Sequence, residues 1–119
     1  MKVLFSAVVL LAAVGSANAA EITCKEQKVE GYSVVLSQDT TSALMDYFDA
    51  QGASTVGEFA CNPAPQKAGS EVFLTCDQSD AWFNPLVLEF SEDAAGVVSS
   101  KLYQPDLAGP TLLASLSCQ

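Results

Sequence analysis

Apolar and polar residues alternate along most of this chain. Tyr32, Val34 and Leu36 are interleaved with Ser33, Val35 and Ser37, and Phe59 and Cys61 with Glu58 and Ala60. Val72, Leu74 and Cys76 make a further apolar row, as do Leu86, Leu88 and Phe90 around Val87 and Glu89. The segment 97–103 repeats the pattern, and Leu112, Ala114, Leu116 and Cys118 close it, with Leu113, Ser115 and Ser117 on the other side. A period of two with β-branched residues marks half-buried strands. Residues 21–29 (EITCKEQKV) read as a short first strand.

Turn chemistry separates these runs. Gln38 to Thr41, the Pro63–Gly69 stretch, Asp77 to Asn84, Ser91 to Gly96 and Gln104 to Pro110 are rich in Pro, Gly, Asp, Asn and Ser. Only residues 42–51 (SALMDYFDAQ) fit two periods. As a helix they place Leu44, Tyr47 and Phe48 on one face, with Asp39 or Thr40 as N-cap and Gly52 after the end. As a strand they put Leu44 and Phe48 on one side and Met45 and Tyr47 on the other, pairing back onto 32–37. The strand is preferred, because every neighbouring segment reads as strand and QDTT closes a hairpin.

Seven or eight short strands about ten residues apart predict an all-β fold. A small antiparallel meander forming a closed or nearly closed barrel is the expected architecture, with a β-sandwich as the alternative. No repeat, low-complexity segment or linker divides the chain, so residues 20–119 form one expected domain.

The four cysteines fit that layout. Cys24, Cys61, Cys76 and Cys118 contain no CxxC pair, and no histidine accompanies them, so zinc spacing is absent. In a short exported chain they imply two disulfides, with three possible pairings. Cys61 and Cys76 are symmetric about Ala68 and Gly69, so a hairpin sets them face to face. Cys24 and Cys118 then remain for the first and last strands, which a closing sheet brings side by side. The competing pairing, Cys24–Cys61 with Cys76–Cys118, ties strands from different hairpins.

Export is read from the first nineteen residues. Lys2 supplies a positive start, Val3 to Val14 an apolar stretch, and Ala17-Asn18-Ala19 a small-x-small cleavage site. Twelve apolar residues are too short to span roughly 30 Å of hydrocarbon, which makes 1–19 a signal peptide rather than an anchor. The short, Ala-rich signal leans towards a bacterial protein, periplasmic or secreted. No other segment has the length to insert into a membrane.

Charge narrows the partners. The chain has a formal net charge of −9, with no histidine. Once Lys2 is removed, four lysines face fourteen carboxylates, about −10. Phosphate recognition depends on Lys and Arg, so nucleic acid is excluded and anionic membranes are disfavoured. A cationic partner is permitted, although an acidic surface also simply keeps an exported protein soluble.

Candidate chemistry is sparse. Without histidine there is no Ser-His or Cys-His machinery, and oxidised cysteines leave no thiolate. The pairs Asp46/Asp49 and Asp77/Asp80 are formal acid–base candidates, but such pairs arise by chance among fourteen carboxylates. Asp77-Gln78-Ser79-Asp80 and Glu92-Asp93 offer oxygen ligands without an EF-hand pattern. The expectation is therefore no enzyme, no metal and no cofactor.

Trp82 and Phe83 stand out in the polar loop that also holds Asp77 and Asp80. One reading places Trp82 over an end of the core. The other leaves it exposed as an interface anchor, a role in which Trp and Tyr are favoured; Tyr103, beside the 104–110 loop, poses the same question. The expected function is a non-catalytic binding module that engages a protein, envelope component or cationic partner through its loops. An inhibitor of a cationic enzyme is one version. The alternative is a secreted or envelope structural protein with no discrete site.

Overall fold

The computed structural model describes residues 21–65 and 67–119. The signal peptide expected at 1–19 lies outside them. Eight antiparallel strands follow one another in sequence order: β1 Ile22–Lys25, β2 Gly31–Leu36, β3 Ser42–Asp49, β4 Gly52–Pro63, β5 Val72–Gln78, β6 Val87–Glu92, β7 Val98–Gln104 and β8 Thr111–Cys118. Each pairs with the next, and β8 returns to β1 to close a barrel. The sandwich alternative is thereby set aside. Residues 42–51 resolve as a strand and a turn: β3 ends at Asp49, whose Oδ1 accepts from Gln51 N at 2.8 Å.

The alternating pattern maps directly onto the wall. Round one side of the barrel, Cys24 opposes Val34, Val34 opposes Met45, and Met45 opposes Gly57. On the other side, Cys76 opposes Leu88, Leu88 opposes Leu102, and Leu102 opposes Ala114. These side chains point inward and are buried, with Phe59, Phe90, Leu36, Met45, Leu88 and Leu102 the largest. An eight-stranded barrel is just wide enough for side chains to fill it. Burying each of the large apolar ones is worth roughly 1.5–3 kcal/mol relative to exposure.

Both disulfides take the expected pairing. Cys61–Cys76 crosses β4 and β5 at directly opposed positions, and Cys24–Cys118 crosses the seam between β1 and β8.

Two local readings need correction. The first strand stops at Lys25 instead of running to Val29. Glu26 turns the chain, its N donating to Tyr32 O at 3.0 Å and its Oε1 accepting from Tyr32 N at 2.9 Å. The tuck needs Gly31, whose hypothetical Cβ would lie 2.6 Å from that Oε1. In β8, Leu112 does not share the inward face of Ala114 and Leu116, but is half exposed. Tyr103 pairs with Leu112 while Leu102 pairs with Ala114, so Leu113 is an inserted residue. A single insertion reverses the face of everything beyond it. Similar bulges leave Val56 extra in β4 and Phe73 extra in β5, so Val72, opposite Ser91, likewise leaves the expected row with Leu74 and Cys76, and Phe73 packs against the core instead.

Candidate functional site

In a meander barrel successive connections alternate between the two ends. The β1–β2, β3–β4, β5–β6 and β7–β8 connections therefore share one end. Three of them carry wholly or largely exposed apolar residues: Val29, the Trp82–Phe83 pair, and Leu107. The β3–β4 hairpin adds the half-exposed Phe48.

The β5–β6 connection, residues 79–86, is fixed at its base. Ser79 N donates to Glu58 O at 2.8 Å, and Asp80 Oδ2 accepts from Glu58 N at 3.1 Å. Gln78 spans the gap between neighbouring strands: its Nε2 donates to Val56 O at 3.3 Å and its Oε1 accepts from Leu86 N at 3.1 Å. The bulge at Val56 brings Gly57 beneath these side chains. A Cβ on Gly57 would collide with Gln78 Nε2 and lie 2.8 Å from Asp80 Oδ1.

Above this base the chain holds its aromatics in solvent. Trp82 is 95% exposed and Phe83 71%, with ring centroids 6.0 Å apart at 49°. Trp82 therefore does not cap the core. Asn84 turns the chain with φ of 50°, a left-handed conformation that asparagine tolerates better than most residues. Pro85 follows it and restricts the turn further. Buried against a partner, a Trp or Phe removes roughly 150–250 Å² from water, and among the described residues these two are the most exposed aromatics.

The four residues singled out in this region have separate roles. Trp82 and Phe83 sit at the tip. Asp80 is spent on the loop's own base, and Asp77 lies on the outer wall of β5, opposite Ala60 and Val87. Gln78, read from the sequence only as one of a run of oxygen ligands, and Gly57, which the sequence reading passes over, shape the base. A lone glycine inside the strand pattern TVGEFAC was the available signal, since it marks a bulge or close approach. Tyr103 is half-buried on β7; its hydroxyl is held above the usual tyrosine range, by burial first and by the charge of Glu89 second.

A groove of about 490 Å³ follows the outward row Val35, Leu44 and Glu58. Among the described residues no three Asp, Glu or Cys side chains gather in a way that could hold a metal ion. The chain matches no family model, no curated protein and no solved structure.

Proposed function

We propose that this protein is a non-catalytic binding module of an exported compartment, which engages a positively charged protein through the 79–86 loop. The observation that carries this reading is the exposure of Trp82 and Phe83 above a hydrogen-bonded base. Leaving two aromatics in water is costly to solubility and contributes nothing to the core. The base of their loop is tied by hydrogen bonds at Val56, Glu58 and Leu86, which limits the ordering entropy lost there when the aromatics are covered. The acidity of the chain favours a cationic partner, and the two disulfides are compatible with an oxidising compartment.

Capture from the native envelope at low salt tests the reading. The wild-type protein is expected to retain a basic protein that elutes as salt rises. Trp82→Ala with Phe83→Ala should weaken retention by roughly thirtyfold or more, the effect of removing an interface anchor worth about 2 kcal/mol. Retention of nothing above background would sink this reading and leave the structural-protein alternative. Equal retention by the double variant would move the binding surface elsewhere.

A further inference from the structure

The outer edge of β4 is left open over its first third. β4 runs from Gly52 to Pro63, but β5 pairs with it only from Phe59 to Pro63. One further backbone bond, from Ser79 N to Glu58 O, ends the ladder. Beyond it side chains replace the strand, Asp80 at Glu58 N and Gln78 at Val56 O. Residues Gly52 to Thr55 pair with β3 on one side, from Asp49↔Gly52 to Asp46↔Thr55, and all four are exposed. Among the described residues no hydrogen bond reaches their other side.

An antiparallel strand directs the N–H and C=O groups of alternate residues to each side, so this edge presents unpaired donors and acceptors. Protein edges are ordinarily blunted by lysine, proline, a bulge or a covering segment. Gly52-Ala53-Ser54-Thr55 has neither lysine nor proline, and the bulge at Val56 ends the open run without covering it. The run is short and uncharged, and the aromatic loop is anchored just past its end, Gln78 at Val56 and Asp80 at Glu58; Trp82 follows two residues after Asp80, a reach of about 7 Å at most from there.

We infer that this edge receives an extended, basic segment of the partner protein as an added β-strand, whose side chains then meet Trp82 and Phe83. The inference rests on the binding role proposed for the 79–86 loop and adds the form the partner takes. Main-chain hydrogen bonds supply affinity in this mode, and pockets for alternate side chains supply selectivity. Charge selects the occupant. Residues 42–60 include Asp46, Asp49 and Glu58, and residues 77–86 include Asp77 and Asp80, with no lysine or arginine in either stretch. A second copy of the chain would bring the same carboxylates against these, whereas a basic strand meets opposite charge.

Trp82 is the only tryptophan in the sequence and reports on the site directly. The test titrates the protein at low salt with an octapeptide of alternating lysine and valine, while tryptophan emission is followed. Its fully N-methylated counterpart, with the same charges and side chains but no N–H to donate, is run beside it. The unmodified peptide is expected to shift Trp82 emission to the blue saturably. The N-methylated one should bind at least about tenfold more weakly, because two or more backbone bonds are lost. Equal affinity of the two peptides would overturn strand addition and leave the loop's binding role standing. No response to either also overturns it, and the loop's role then rests on the envelope capture alone. A glutamate–valine octapeptide binding as tightly would overturn the choice of a basic partner. A blue shift in the protein alone, rising with its concentration and accompanied by a dimer in sedimentation, would assign the edge to a second copy instead.

Discussion

Cys24 lies directly opposite Cys118 on a closing seam that is only two residue pairs long, the other being Lys25 with Ser117. By comparison β1 and β2 share four pairs, and β3 and β4 eight. One further bond, Gln119 N to Thr23 O at 3.0 Å, extends the seam. Closure of the barrel therefore depends on a cross-link more than on a ladder.

Replacing both cysteines of this bridge by serine is expected to cost about 4–5 kcal/mol in the chain-entropy account, since the bond closes 94 residues. The same change at Cys61 and Cys76, closing 15, should cost about 3 kcal/mol. Urea unfolding measures both. Hydrogen exchange at Lys25 should accelerate in the first variant only, and a larger loss from the second would contradict the dependence on loop length.

That pairing could be read from the chain because Cys61 and Cys76 are symmetric about a turn, and because period-two alternation assigns faces. The same logic fails wherever one residue is inserted. Val56, Phe73 and Leu113 are ordinary strand residues by type; only Val56 has a glycine beside it to mark a bulge, and nothing around Leu113 announces the one that sends Leu112 outward. Trp82 was ambiguous for a different reason. An adjacent aromatic pair in a polar loop has one pattern whether it covers a core or faces water, and only the closure of the barrel beneath it decides. The open edge at Gly52–Thr55 depends on where β5 stops, a relation between strands that no single segment encodes.

Ser100 sits inside the barrel, opposite Phe90 and Leu116, at 1% exposure. Among the described residues its Oγ has no hydrogen-bond partner. Burying an unpaired hydroxyl is unfavourable, so Ser100→Ala should stabilise the protein by roughly 0.5–1.5 kcal/mol. The urea midpoint should rise at constant slope. A fall in midpoint would mean that the hydroxyl is paired in solution.

Asp39 organises the β2–β3 turn. Its carboxylate accepts from Thr41 Oγ1 at 2.7 Å, Ser37 Oγ at 2.8 Å and Thr41 N at 3.1 Å. Those hydrogen bonds, led by the Thr41 hydroxyl, hold its pKa below the ordinary 3.8. A depressed carboxylate stabilises the fold above its unfolded value and loses that contribution as pH falls through the folded one. The turn should therefore loosen only below about pH 4, seen as faster exchange at the Thr41 amide. Thr41→Val should move the Asp39 titration upward in an NMR titration, and an unmoved midpoint would assign the shift to another cause.

Asn84 adopts φ of 50° immediately before Pro85. Glycine accepts this conformation freely, so Asn84→Gly should change stability by less than about 0.5 kcal/mol. Asn84→Val places a β-branched residue there and should cost about 1–2 kcal/mol. Urea unfolding of the two variants checks the difference, and equal stability would show that the loop relaxes to another conformation.

Gly57 connects the barrel wall to the aromatic tip. The Cβ of a Gly57→Ala variant would meet the far ends of the Gln78 and Asp80 side chains, which can swing aside, so the β4 backbone has no need to move. Swinging them breaks the bonds from Gln78 Nε2 to Val56 O, from Leu86 N to Gln78 Oε1 and from Glu58 N to Asp80 Oδ2. At about 0.5–1.5 kcal/mol each, the cost of the three is roughly 1.5–4.5 kcal/mol, localised at the base of the loop. The amides of Glu58 and Leu86 should exchange faster and the Trp82 fluorescence anisotropy should fall, while amides around Cys61 and Cys76 keep their protection. Unchanged anisotropy would mean that the aromatic pair does not depend on this base, and the base would then not pre-set it for binding.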